Sequence, residues 1–189
     1  MPSPAHPPDA DLVALAARGD GTAFDALVRR YYRRAYAVAY GVLLNRHDAE
    51  DVCQDAFVRA LERIEDCRDP ARFGVWMLQI VRNRALSWRS YRKVRETAEL
   101  LPEIAEAPDS PATDAHRAEL GRRLSAALAT LSAVQREVVL LHDLEGLTHG
   151  EIAQALGMTE VRSRQHLFVA RRLLRERLGT ALFREYTHD

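Results

Sequence analysis

Lysine is almost absent from this chain: of 27 basic residues, only Lys93 is not an arginine. The arginine fork suits phosphate and base contacts, but a bias this complete reads first as the mark of a GC-rich genome. Cysteine is equally scarce. Cys53 and Cys67 are too few for a metal quartet or a disulfide framework; Cys53 is expected in the core and Cys67 in a loop with room for a free thiol. No apolar run approaches the ~18 residues of a membrane-spanning helix, so no membrane insertion is expected. The opening MPSPAHPPDAD has neither a basic region nor an apolar core, so no signal peptide is expected and the chain is assigned to the cytoplasm. Sustained period-two alternation is missing, which excludes a sheet protein. The seven histidines are scattered, with no H-x-x-x-H pair, no Cys/His cluster and no glycine-rich phosphate loop. Nothing here suggests a catalytic centre, a metal site or a cofactor.

What is present is charge, and it is segregated. The formal net charge is zero, yet residues 45–66 hold seven acids and three bases, a net of −4. Residues 68–95 hold eight bases against Asp69, a net of +7, and residues 96–115 hold six acids with no lysine or arginine. Overall neutrality therefore hides two basic segments separated by an acidic one, a pattern that permits a nucleic-acid partner.

The apolar spacing is helical throughout. Leu12, Val13, Leu15 and Ala16 form a short helix ended by Gly19, and Phe24, Leu27, Val28, Tyr31, Tyr32, Ala35, Val38 and Ala39 stripe a longer one. A third helix runs from about Ala49 to Ile64, and a fourth from about Ala71 to Arg92 after the Pro70 break. Further helices fall near 114–129, 132–143, 148–156 and 160–178. The fold class is all-α: two small helical domains joined by a flexible acidic linker. The organisation is a disordered tail over 1–9, a first domain over 10–94, a linker over 95–115, a second domain over 116–180 and a tail over 181–189.

The second domain carries the clearest motif. Thr148 and Glu151 make a T-x-x-E capping box, Ile152, Ala153 and Leu156 an apolar stripe, Gly157 a tight turn, and Thr159 a second cap. From Glu160 to Leu178 there are six arginines against two acids, a net of +4. This is a helix-turn-helix with a basic recognition helix.

Four strings together carry a resemblance: DAEDVCQDAF at 48–57, WMLQIVRN at 76–83, LSAVQREV at 131–138, and LEGLT at 144–148 followed by Glu151-Ile152-Ala153. In this order they resemble the sigma-70 family, and more narrowly the small extracytoplasmic-function sigma factors, which keep only the second and fourth conserved regions. The likeness spans about residues 10–93 and 117–178. It implies that 10–94 is region 2 and 116–180 is region 4. It also implies a factor that binds core RNA polymerase, recognises the −35 and −10 promoter elements and promotes strand opening. The implied partners are the β′ clamp helices and β flap of the polymerase, promoter DNA and an anti-sigma factor.

The resemblance also distributes roles. Asp48, Glu50, Asp51, Gln54 and Asp55 match the docking surface for the clamp helices, where opposite charge steers and registers the contact. Arg82, Asn83, Arg84, Trp88, Arg89, Arg92 and Lys93 match the segment that takes the −10 element, with Trp88 and Tyr91 placed either on bases or in the domain's packing. The loop Asp66 to Arg72 corresponds to a pocket for a flipped base. Arg162, Arg164, Gln165, Arg171 and Arg172 are the −35 candidates. Here the chain departs from its relatives: a Val-Arg-Ser-Arg string stands two residues early. The length-preserving register turns Ser163, Leu167, Ala170 and Leu174 inward. The alternative function is a duplex-only helix-turn-helix regulator, which shares the motif after residue 147 but has no use for the acidic docking string.

Overall fold

Asp20 starts a 23-residue helix of the first module by accepting hydrogen bonds from the backbone N–H groups of Thr22 and Ala23. In this computed structural model residues 7–99 and 115–179 are described, with side chains for 7–93 and 121–179. The helices are α1 (Asp9–Ala16), α2 (Gly21–Leu43), α3 (Arg46–Glu62), α4 (Phe73–Glu99), α5 (Ala115–Ala129), α6 (Ala133–Val139), α7 (His149–Leu156) and α8 (Glu160–Leu178). Short 3-10 turns precede α4, and one π-helical turn, Leu140–Leu144, follows α6. There is no strand among the described residues.

In the first module α2 and α4 form the centre, with α1 and α3 packed on α2 and α3 also on α4. Leu27, Val38, Val52, Phe73, Met77 and Val81 are fully buried between them. Removing such side chains from water supplies the main favourable term of folding, at about 25 cal/mol per Å² of apolar surface. Tyr31 and Phe73 pack with ring centroids 5.6 Å apart, and Phe24 meets Phe57 edge to face. Asp9, expected in the disordered tail, instead opens α1 and bonds Arg30 and Tyr31 of α2. Cys53 lies in the core, where burial pushes its thiol pKa up to about 12. Cys67 lies in the loop before α4 as a free thiol, as expected, but it is buried and its sulfur faces the Asp69 carbonyl at 3.6 Å.

The second module is built on caps. Ser132 with Gln135 and Thr148 with Glu151 form reciprocal capping boxes at the starts of α6 and α7. Gly157 ends α7 with φ +67°, a left-handed conformation that costs a residue without Cβ little. The π turn closes with the Glu145 N–H on the Leu140 carbonyl at 3.1 Å.

The two modules are packed on each other, α2 against α6 and α4 against α7. Arg136 threads into this contact, donating from Nε to the Gly41 carbonyl at 2.7 Å and from Nη1 to the Leu131 carbonyl at 3.0 Å. Gly41 is what lets the helices come this close, since a Cβ there would sit 3.1 Å from the Glu137 backbone nitrogen. Gln79 adds a hydrogen bond to the Gln154 carbonyl and Arg33 an ion pair to Glu145. The expected flexible linker lies largely outside the described residues.

Candidate nucleic-acid interface

Helix α8 is held by its inner face. Ser163, Leu167, Ala170 and Leu174 are all buried, as the length-preserving register requires. Thr159 caps the helix by accepting from the Arg162 N–H. The opposite face exposes Val161, Arg162, Arg164, Gln165, Phe168 and Arg172. Arg164 reaches back to Glu160 at 3.4 Å and Arg172 forward to Glu176 at 4.0 Å, both exposed pairs one turn apart and individually weak.

Arg171 stands apart from the other −35 candidates. Its Nη2 and Nε grip both oxygens of Asp143 at 2.6 and 3.1 Å, and the Asp143 side chain is only 2% exposed. A two-point charged contact of this kind fixes the helix, and it raises the Arg171 pKa. Next to it His142 bonds Asp143, and His149 bonds Ser163 on α8, with the two imidazole centroids 4.8 Å apart. Burial, then His142 and the neighbouring arginines, lower the His149 pKa. The recognition helix is thus clamped onto the π turn and α7 by a polar joint.

Helix α4 distributes its residues over three faces. Asn83, Ser87, Ser90 and Tyr91 are exposed together along its solvent side. Arg84 pairs with Asp55, and Arg92 pairs with Asp48, both on the edge toward α3. On the edge toward the second module, Arg82 Nε donates to Glu137 Oε1 at 2.9 Å, and Arg89 is close enough to act on Glu137 and Arg136 electrostatically. Arg89 and Lys93 are exposed. Trp88 packs on the core, and its indole N–H is buried without a partner.

On α3 the five docking candidates separate likewise. Asp51 and Gln54 are exposed, and Val58 and Leu61 extend the same face with apolar surface. Asp48 and Asp55 turn toward the arginines of α4, and Glu50 lies near Tyr32 and Tyr36 of α2. The loop before α4 contributes a cleft lined by Asp66, Cys67, Arg68, Asp69, Arg72 and Trp76.

Glu137 was not anticipated from sequence. It is 0% exposed, only one of its oxygens has a partner, and burial raises its pKa. The signal was available: Glu137 falls at i+3 from Val134 and i−4 from Leu141, on the inward stripe of an apolar helix. Asp143 and the histidine joint gave no comparable signal.

A basic helix-turn-helix face, and a second helical module with a polar helix flanked by arginines, give the chain surfaces suited to DNA. Its relatives make this specific. Sigma-70 region 2 matches residues 27–95, and Sigma-70, region 4 matches residues 121–174. The ECF RNA polymerase sigma factor SigM of Mycobacterium tuberculosis is 30% identical over 171 residues, covering 90% of this chain and 85% of SigM. The ECF RNA polymerase sigma factor SigE of Mycolicibacterium smegmatis is 38% identical over 160 residues, covering 79% of this chain; the chain spans 61% of SigE. The solved structure of CnrH in complex with the cytosolic domain of CnrY superposes with a TM-score of 0.67 at 30% identity, covering 90% of this chain and 96% of that one. The chain belongs to the sigma-70 family, among its ECF members.

Proposed function

We propose that this chain is an ECF sigma factor: it docks on core RNA polymerase, reads the −35 element with α8, takes the −10 element on α4 and promotes strand opening. The observation that carries this reading is the division of surfaces in one chain. The exposed α8 face is rich in arginine and suits duplex DNA, whereas the exposed α3 face of Asp51, Gln54, Val58 and Leu61 carries no base to meet a phosphate and suits a protein partner. A duplex-only regulator has no role for that second surface. The β′ clamp helices are the partner for α3 and the β flap a partner for the second module.

The residues of α4 support a role with separated strands. Asn83 and Tyr91 offer a hydrogen-bonding amide and an exposed ring on the solvent face, flanked by arginines held in acid forks. Single-stranded DNA is bound by such combinations of stacking and charge. The phosphates would displace Asp48, Asp55 and Glu137 from those forks. The chain works in the cytoplasm with the polymerase and has no catalytic chemistry of its own. No helix among the described residues is long and apolar enough to cross a membrane. An anti-sigma factor completes the proposal; the relative CnrH is solved in complex with a protein partner, the cytosolic domain of CnrY.

Core binding tests the reading directly. The chain should bind purified core polymerase, and Asp51→Arg with Gln54→Arg should weaken binding at least tenfold with helix content unchanged, because both positions are exposed. Absence of binding by the unmodified chain would overturn the proposal. Equal affinity of the variant would remove α3 from the interface.

A further inference from the structure

Phe168 is 70% exposed, more than any other large hydrophobic side chain described. Scattered apolar residues on a surface need no explanation, so its place matters more than its exposure. It sits in the middle of the α8 stripe opposite the buried Ser163, Leu167, Ala170 and Leu174. Gln165 lies one turn before it and Arg172 one turn after, with Arg164 alongside. The ring does no packing for the fold here, and arginines surround it. A polyanion is the partner that this setting fits.

Of the four bases, thymine alone shows an apolar group in the major groove, its C5-methyl. Arginine pairs with guanine edges and glutamine with adenine edges, so a stripe of Arg, Gln and Phe carries the chemistry to read three different bases. We propose that Phe168 is a specificity-determining residue that reads a thymine through its C5-methyl group, next to the base pair read by Gln165. The inference rests on α8 entering the major groove of a promoter. Neighbours at i and i+3 on a helix lie about 5–6 Å apart, which places the two contacts within about two base pairs of each other.

Replacing a thymine by deoxyuridine deletes the methyl and nothing else. The chain, assembled on core polymerase, is used to select duplexes from a randomised pool, and each thymine of the selected upstream element is then replaced singly. One position should lose about fourfold in affinity, equivalent to about 0.8 kcal/mol for one buried methyl-sized group. Phe168→Ser should abolish that difference at that position and leave the other positions unchanged, while Phe168→Leu retains part of it. The side chain is exposed, so the variant is expected to fold, and unchanged helix content with unchanged core binding verifies this. No thymine sensitive to the replacement, or a sensitivity that survives in Phe168→Ser, would overturn the proposal. A Phe168→Ser variant that loses core binding instead would assign the ring to a protein contact. Failure to enrich any sequence would take down the promoter-reading role of α8 itself, a distinct result.

Discussion

Arginine serves two ends in this molecule, and only its partners tell them apart. Arg171 and Arg172 are consecutive and both are basic in the sequence, yet Arg171 is locked on Asp143, 28 residues away, while Arg172 stays on the exposed face. Sequence spacing shows which arginines share a stripe. It cannot show which of them meets a buried acid delivered by another turn. The −10 candidates divide in the same way, Arg82, Arg84 and Arg92 being held by acids and Trp88 by the core. His149 gives this scale its prediction. Its pKa lies below the ordinary 6.5, so just below pH 6.5 the unfolded chain binds more protons than the folded one. Stability should therefore fall as pH drops through that window and be fully present above it. His142, Arg164 and Arg171 disfavour the charged imidazole and Glu160 favours it. Buried Glu137, with its raised pKa, titrates with the opposite sign, so the comparison must be with a variant. Thermal midpoints followed from about pH 7 to about pH 5 should fall less steeply in His149→Gln than in the unmodified chain. Equal slopes would contradict the assignment.

Elements were far more legible than contacts. The caps at Asn45, Ser132, Thr148 and Thr159 and the left-handed Gly157 fix helix starts and stops through local hydrogen bonds, and local chemistry is what sequence displays. The π turn at Leu140–Leu144 was not legible, because VVLLHDL suits an α-helix equally well until the Glu145 N–H selects the Leu140 carbonyl. This turn holds Asp143 against Arg171 of α8 and His142 against His149 of α7. The close approach of α2 to α6 was hidden for a different reason: Gly41 sits in an ordinary helical position, and only its neighbour across the gap gives it a purpose. Gly41→Leu should raise local helix propensity by about 1 kcal/mol while its side chain collides with the backbone at Glu137. The expected outcome is unchanged helix content with an increased radius of gyration in small-angle scattering, as the modules part. An unchanged radius would show that the contact accommodates the side chain.

For the molecule as a whole, the sequence indicated two helical modules and an acidic segment between them, but not that the modules meet. Patterning of apolar residues reports that a face is buried and leaves open what covers it; the α2–α6 and α4–α7 contacts join residues far apart in the chain. The meeting occupies Arg82 with Glu137 and places a half-satisfied carboxylate in the interface. Such a carboxylate gains solvation if the modules separate. The central claim remains that the chain confers promoter-specific initiation on a polymerase that lacks it. Run-off transcription with purified core polymerase, on a linear genomic fragment library with and without the chain, tests this most directly. The account predicts discrete transcripts that require the chain, whose start sites share a −35 and a −10 sequence, and that Asn83→Ala suppresses on duplex templates but largely retains on templates with a pre-opened bubble across the −10 element. Identical transcript patterns with and without the chain would contradict it.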